Sequence, residues 1–506
     1  MRLANEIIRE AKRLIVRHET RCRLLGEENA RRARRTTGTH DKLKLTRPDY
    51  WEFDDGFNPY QTRARASRIA HSIRNSLQDR QYQPRRPLIH NVKKSDGGNR
   101  QTCIYQVADS AVSKMLFENI LKKNLPILSA RAYAYRPDVS PQNAIQFVRG
   151  EFAGASRLFV AEYDFRQYFD TIEHDNIHRI LNDKFLLTEV ERDAIRGFLT
   201  VAPSEPGEYI PVGGNERTQG IPQGTSISLF LANVAAWELD RELEKSGVDF
   251  VRYADDTLIW STDYSRICNA VDLLHQHATT IGVSINVSKS PGVRMLVPCG
   301  ADSEMTSIDN VQYLGYQLRL GSTTLTEKAL NRIRKRIGNL IYWGLLHEPL
   351  KGSQDVARLQ GNVDRDYVSV ILRMRRYLYG DLSEKAVKRF QQRETPLRRF
   401  KGVMSAYPLI DDGEELVTLD EWVLTSLFLA MRKRSHLLRS TGFGPRLPPP
   451  HDTSRTSLRT LSVTGAHSGQ RIDLSVPSAR RIANVIRSAA KQYGPSVVGR
   501  GNTYEY

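Results

Sequence analysis

The sequence predicts an α+β fold followed by a mostly α-helical C-terminal domain. Between residue 157 and about 320, strand and helix signals alternate. From "LTEKALNRIRKRIGNLIYWGLL" (325–346) to about 440, basic amphipathic helices take over. At 506 residues and 40% hydrophobic content, the chain is long enough for about two to four domains with cores of their own.

In chain order, residues 1–85 read as a basic helical extension. Leu3, Ile7, Ile8, Leu14 and Ile15 recur at helical spacing, and "RRARR" runs from Arg31 to Arg35. The opening residues contain no signal-peptide core, and no run of about 18 apolar residues follows, so neither leader nor membrane span is expected. In "RPLIHNVKKSDGGNRQTCIYQ" two short apolar stretches flank a turn holding Lys93, Lys94, Gly97, Gly98 and Arg100, which predicts a β-hairpin with a cationic tip. Residues 106–150 read as helix, and "RLFVAEYDF" (157–165) as a buried strand ending at Asp164. The Pro-rich "GFGPRLPPPHDT" (442–453) predicts a linker, and "SARRIANVIRSAAKQYG" (478–494) a last basic helix beyond it.

Lys and Arg number 75 against 57 Asp and Glu, a net charge of +18. That balance favours a polyanionic partner, nucleic acid ahead of membrane because no lipid-anchor motif accompanies it. Cys22, Cys103, Cys268 and Cys299 are far apart and show no metal or disulfide spacing, which fits a reducing bacterial cytoplasm.

The stretch "FVRYADDTLIWS" (250–261) sets two adjacent acids, Asp255 and Asp256, between two apolar strand-like runs. Like charges at a half-buried turn need a counter-charge, and an ordinary Asp-containing hairpin turn or a bound cation are both compatible with the pattern. Asp164 ends another buried strand 91 residues earlier, so the acids can meet only if the two strands are neighbours in one sheet. Between them "QGIPQGTSISLFLANVAAWELD" (219–240) combines a tight turn with an apolar helix starting near Ser228. Three carboxylates, a basic hairpin and a glycine turn suit phosphoryl transfer to a 3′-hydroxyl, with two Mg²⁺ ions about 3.5–4 Å apart. Lys and Arg on the hairpin would grip a triphosphate.

In order, "YDFRQYFDTI", "GIPQGTSISLFLANV", "RYADD", "GVSINVSKS" and "VQYLGYQL" resemble the successive palm motifs of reverse transcriptases. The basic hairpin and "SARAYAYRPDVSPQNAI" (129–145) resemble that family's fingers motifs, and the likeness covers roughly residues 85–345. It implies a right-hand polymerase: fingers 86–160, palm 161–320, thumb 321–350, a helical RNA-associated domain 351–440, and a linker with a C-terminal helix and tail 441–506. It implies that Asp164 and Asp255 hold both metals, that the Phe165 carbonyl completes a metal site, and that Asp256 is the more peripheral ligand. Lys94 or Lys93, together with Arg100, would bind triphosphate, and Gln223 and Gly224 would shape the nucleotide pocket. Phe169 stands where the family has its steric gate against a ribose 2′-hydroxyl; as residue chemistry alone it also reads as core. Lys289 matches a lysine that protonates pyrophosphate, or it is a surface lysine after a strand. Asp170, Glu173, His174 and Asp175 read as helix-capping and solvated residues. Tyr135, Arg136 and Asn143 either hold the fingers together or touch template.

Among reverse transcriptases, the chain lacks the Cys/His nuclease of many group II intron enzymes and the "NAxxH" of retron enzymes. It most resembles the non-mobile, defence-associated bacterial enzymes of the unknown-group and abortive-infection-like kind. That implies RNA-directed DNA synthesis from deoxynucleotides on an RNA template, expected to be a dedicated non-coding RNA, in antiphage defence. Group II intron or retron types are alternatives within the family, and an RNA-binding splicing scaffold with a vestigial palm is one outside it. Oligomer formation is compatible with all of these. Tyr504 and Tyr506, on a Gly-led tail, raise the idea of a protein hydroxyl as primer.

Overall fold

The computed structural model describes residues 2–93, 98–397, 399–443, 446–464 and 471–499. Lys94, Tyr504 and Tyr506 lie outside the described residues.

The N-terminal region comprises helices α1 (Arg2–Ala33), α2 (Pro59–Ala64) and α3 (Ala66–Gln78). Strands β1 (Leu88–Lys93) and β2 (Asn99–Ile104) form the expected antiparallel hairpin, pairing Lys93 with Asn99 and Val92 with Arg100. Helices α4 (Val107–Asn124) and α5 (Pro141–Ala153) follow; Ser140 and Asn143 close a reciprocal capping box at the start of α5.

The palm sheet has the order β5-β6-β3-β8-β9. Its strands are β3 (Leu158–Tyr163), β5 (Asp249–Tyr253), β6 (Asp256–Ser261), β8 (Gly292–Leu296) and β9 (Ser307–Ile308), while β4 (Phe165–Arg166) pairs separately with β7 (Ser284–Ile285). β3 is antiparallel to both β6 and β8. Both sheet faces are covered, which explains the nearly unbroken apolar runs in β3, β5 and β6. Leu158, Val160, Leu258 and Trp260 join one core, and Ala161, Tyr163, Phe250 and Ile259 the other. The second core is built with α7 (His174–Lys184), α8 (Glu189–Thr200), α9 (Ser226–Ala235), α10 (Trp237–Ser246) and α11 (Tyr264–Thr280); the short α6 (Tyr168–Thr171) precedes them. α9 is apolar all round and almost wholly buried, as a helix surrounded by protein must be.

The first core continues through the sheet β10 (Val311–Tyr313), β11 (Tyr316–Arg319), β12 (Ser322–Leu325) into α12 (Glu327–Ile341). After a π-helical turn at Tyr342–Leu346 come α13 (His347–Lys351), α14 (Arg365–Tyr379), α15 (Glu384–Gln392) and α16 (Glu414–Ser440). The hairpin β13 (Ser462–Thr464) and β14 (Arg471–Asp473) leads to α17 (Ala479–Tyr493) and α18 (Pro495–Val498). No helix among the described residues is long and apolar enough to cross a membrane.

Residues beyond 441 pack against the helices before them. Leu447 packs with Leu359 and Leu438, and the Pro449 carbonyl accepts from the Asp364 amide at 2.9 Å. Ile482, Val485, Ile486 and Ala489 of α17 lie in the same core as α14 and α16. Pro448, Pro449 and Pro450 lead the chain into the domain, because His451 just after them is drawn in by a buried polar network. Arg434 donates to Asp364 (2.7 Å), Asp366 (2.9 Å) and the Leu345 carbonyl (2.8 Å). His451 bridges Asp364 (3.0 Å) and Ser435 (2.7 Å). The Ser435–His451–Asp364 line has the order of a hydrolase triad, but all three side chains are buried and Ser435 also donates to the Met431 carbonyl, so it is architecture.

Candidate active site

The adjacent acids sit where β5 turns into β6. Tyr253 pairs with Asp256, leaving Ala254 and Asp255 as the turn. Ala254 has φ of +61°, a left-handed conformation that costs a residue with a Cβ and that its surroundings must hold. Arg252 does so. Its guanidinium donates to the Ala254 carbonyl at 2.9 Å and is itself gripped by both Asp240 oxygens at 2.6 Å. Asn233 accepts a further bond at 3.3 Å, and the Tyr313 hydroxyl donates to the Asp256 carbonyl at 3.2 Å. Nothing local in the sequence marks Asp240, Asn233 or Tyr313 as holders of this turn.

Asp164 follows β3, alongside the first residue of β6, so the strand neighbourhood that the three acids require is present. The "NVSKS" loop wraps it. Asn286 donates to Oδ1 at 3.0 Å, Lys289 to Oδ2 at 3.1 Å, and Ser290 accepts from the Asp164 amide at 3.1 Å. Asn286 and Ser290 are thus site residues that sequence reasoning missed, although they stand within the motif quoted. So is Glu162, two residues before Asp164 on the same strand face, paired with Arg294 at 3.1 Å.

The electrostatics are those of a site short of positive charge. Burial, then Asp255, Asp164 and Glu162, pushes the Asp256 carboxyl up to about 8, with Lys289 opposing. Asp255 is raised by burial and by Asp164, and Arg100 and Lys289 oppose. Arg100 therefore faces the acids from the hairpin. Lys93 is exposed at the end of β1.

Gln223 and Gly224 support that hairpin. The Gln223 carbonyl accepts from the Cys103 amide at 2.6 Å, and a Cβ at Gly224 (φ +137°) would run into the Cys103 carbonyl. Phe169 is half-buried, edge-on to Tyr168, with its carbonyl bonded to the Ile221 amide at 2.5 Å. Phe165 is buried. Of the acid and histidine residues set aside, His174 donates to the Gly220 carbonyl at 2.8 Å and Glu173 packs on Gly282, while Asp170 and Asp175 are exposed.

As placed, no three acid, His or Cys side chains close on one point among the described residues. Both Asp164 oxygens are engaged, one by the Lys289 ammonium. The donor set nevertheless fits a hard divalent cation, since its ligands are oxygens only and a cation would relieve the burial and like-charge crowding that raise Asp255 and Asp256.

Residues 92–318 match the family model described as "Reverse transcriptase (RNA-dependent DNA polymerase)". The chain carries a reverse transcriptase domain. Divalent-metal use is general to that domain. Protein YkfC of Escherichia coli (strain K12) is 28% identical over 201 residues, 38% of this chain and 49% of that protein. The group II intron-encoded protein LtrA of Lactococcus lactis subsp. cremoris is 27% identical over 205 residues, 39% of this chain and 32% of that protein. The match thus spans less than half the length of either relative. Telomerase from Candida albicans, in complex with a fragment of telomeric RNA, aligns with 76% of this chain and 65% of its own at 10% identity and a TM-score of 0.38, too distant to bear on any residue.

Proposed function

We propose that the chain is an RNA-directed DNA polymerase of the bacterial cytoplasm that copies a dedicated non-coding RNA in antiphage defence. One observation supports the polymerase reading above others. Asp164, Asp255 and Asp256 gather from two neighbouring strands, under the cationic hairpin, in a setting that raises the last two and leaves them in want of a cation. Asp164, Asp255 and the Phe165 carbonyl would hold two Mg²⁺ ions, with Asp256 more peripheral. When bound, such ions activate a 3′-hydroxyl and neutralise charge on the departing pyrophosphate.

The chain's own groups supply the rest. Arg100 and the Lys93–Lys94 tip grip the deoxynucleotide triphosphate, and the Gln223–Gly224 turn fixes the height of the hairpin above it. The Phe169 ring excludes a ribose 2′-hydroxyl. Lys289 gives its proton to the pyrophosphate and, before nucleotide arrives, balances Asp164. The intron-encoded relative favours a second reading, a group II intron-type enzyme whose template is its own intron.

The test is to sequence nucleic acid that co-purifies with wild type and with Asp255→Ala, alongside extension of a DNA primer annealed to RNA. One discrete RNA with both proteins, and complementary DNA with wild type alone, is the expected result. Intron sequence as that RNA would select the second reading. The RNA with no Asp255-dependent DNA, and no primer extension, would leave a scaffold and overturn the enzyme.

A further inference from the structure

At the C-terminal end of α1 four guanidiniums share one carboxylate. Arg31, Arg32, Arg35 and, from α14, Arg373 lie 3.1, 3.6, 3.8 and 3.3 Å from Glu28. Other acids nearby are already engaged. Glu348 accepts from His347 and Ser353, and Asp366 from Arg358 and Arg434. Burial lowers the pKa of Arg373, and the Arg31, Arg35 and Arg336 charges push it the same way. The cluster is also incompletely bonded: Arg35 Nε and Arg373 Nη1 are buried without a hydrogen-bond acceptor, and Arg32 Nε only approaches Glu28 at 3.6 Å. Four guanidiniums on one carboxylate, with donors left over, suit a further anion.

Beside the cluster runs the π-helical turn Tyr342–Leu346. Gly344 presses so closely on Val370 that a Cβ there would collide with it, and the turn bulges on its other side. The bulge holds Tyr342 and Trp343 outward, 43% and 42% exposed. Trp343 lies 4.2 Å from the His347 ring and meets Tyr342 edge-on at 5.6 Å, and the Arg32 guanidinium is 5.5 Å from its centroid. Half-exposed rings next to surplus guanidiniums are the two requirements of unpaired nucleic acid: stacking for bases, here in place of His347 or Arg32 on Trp343, and charge for phosphates. A membrane surface fits less well, since the apolar stripe of α12 (Leu330, Ile333, Ile337, Leu340) is buried in the core and offers no face to lipid.

We propose that the junction of α1, the π-turn and α14 binds a single-stranded RNA segment, with unpaired bases on Trp343 and Tyr342 and flanking phosphates on Arg31, Arg32 and Arg373. It deepens the polymerase reading by giving the RNA a second hold. The hold shares no residue with the palm acids, and Glu28 lies about 33 Å along α1 from Glu6, where that helix meets α4 through Lys114.

The test titrates a short fluorescein-labelled single-stranded RNA of mixed sequence into the full chain and follows anisotropy. Tyr342→Ala/Trp343→Ala weakens binding about tenfold or more, while Tyr342→Phe/Trp343→Phe keeps most of it, because phenyl rings still stack. Arg31→Gln/Arg32→Gln weakens binding and flattens its dependence on salt. Unchanged binding by the alanine pair overturns the site, as does a phenylalanine pair that loses as much as alanine. Ring-dependent retention on anionic phosphatidylserine vesicles, with RNA binding unaffected, also overturns it. Primer extension by wild type separates the two claims. Ring-dependent RNA binding without extension fails the polymerase alone, and extension with ring-independent binding fails this site alone.

Discussion

Two arginines, Arg252 in the palm and Arg434 in the C-terminal domain, are built alike and used differently. Both are fully buried and both grip carboxylate, Asp240 in one case and Asp364 with Asp366 in the other. The partner of Arg252 is 12 residues away, whereas Asp364 lies 70 residues from Arg434. The spare N–H of Arg252 goes to the Ala254 carbonyl and pins the turn that carries Asp255. The spare N–H groups of Arg434 go to Leu345 and Gln354 and tie the π-turn and the segment before α14 to α16. Buried ion pairs seldom add net stability over apolar packing, so each is better understood as setting geometry: one of a turn, the other of a domain.

The largest effect that would break this comparison is on stability. Arg434→Ala leaves Asp364 buried with the His451 hydrogen bond but no guanidinium, and Asp366 with that of Arg358, and is expected to cost about 3–5 kcal/mol, read from denaturant unfolding. A loss below about 1 kcal/mol would mean that the network does not organise the domain. The palm pair gives a sharper contrast. Arg252→Met/Asp240→Leu removes both charges together, so stability should stay within about 2 kcal/mol of wild type while primer extension falls about tenfold or more. Full activity in that variant would show that the turn holds itself.

The smallest effect concerns the acids themselves. Asp256 is raised from 3.8 to about 8 in the folded chain, so in metal-free buffer its ionisation costs stability progressively as pH rises from about 4 to about 8. Asp256→Asn should therefore gain up to a few kcal/mol above pH 8 and nothing below about pH 4, and Mg²⁺ should narrow the gap. Asp364 runs the other way. Arg434 and the His451 hydrogen bond overcome burial and hold its carboxyl well below the ordinary range, so its contribution is present above about pH 4 and is lost in acid.

The order of motifs made the palm legible because its signals are local: an acid at a strand end, two acids in a tight turn, and glycines where chains cross. Gly224 illustrates this, since its neighbours announce a turn even though the reason for it, the Cys103 carbonyl, is far away in sequence. The supports of the site were not legible. Asp240 looks like any acid on an amphipathic helix until Arg252 is seen against it. In the C-terminal region the prolines at 448–450 signal a break and give no sign that His451, immediately after them, is drawn into a buried network. Sequence separations of 70 and 87 residues between its members leave no periodic trace.

The 32-residue helix α1 has a mechanical consequence. One end is keyed to the fingers by Leu3, Ile7 and the Glu6–Lys114 pair, and the other to the C-terminal domain by Glu28 and Arg373 and by the Asp355 amide on the Arg35 carbonyl. A helix of that length is a stiff bar of about 48 Å. Fingers and C-terminal domain therefore cannot swing apart as independent jaws without breaking one of these fastenings. The distance between their fastening points is set as by a spacer.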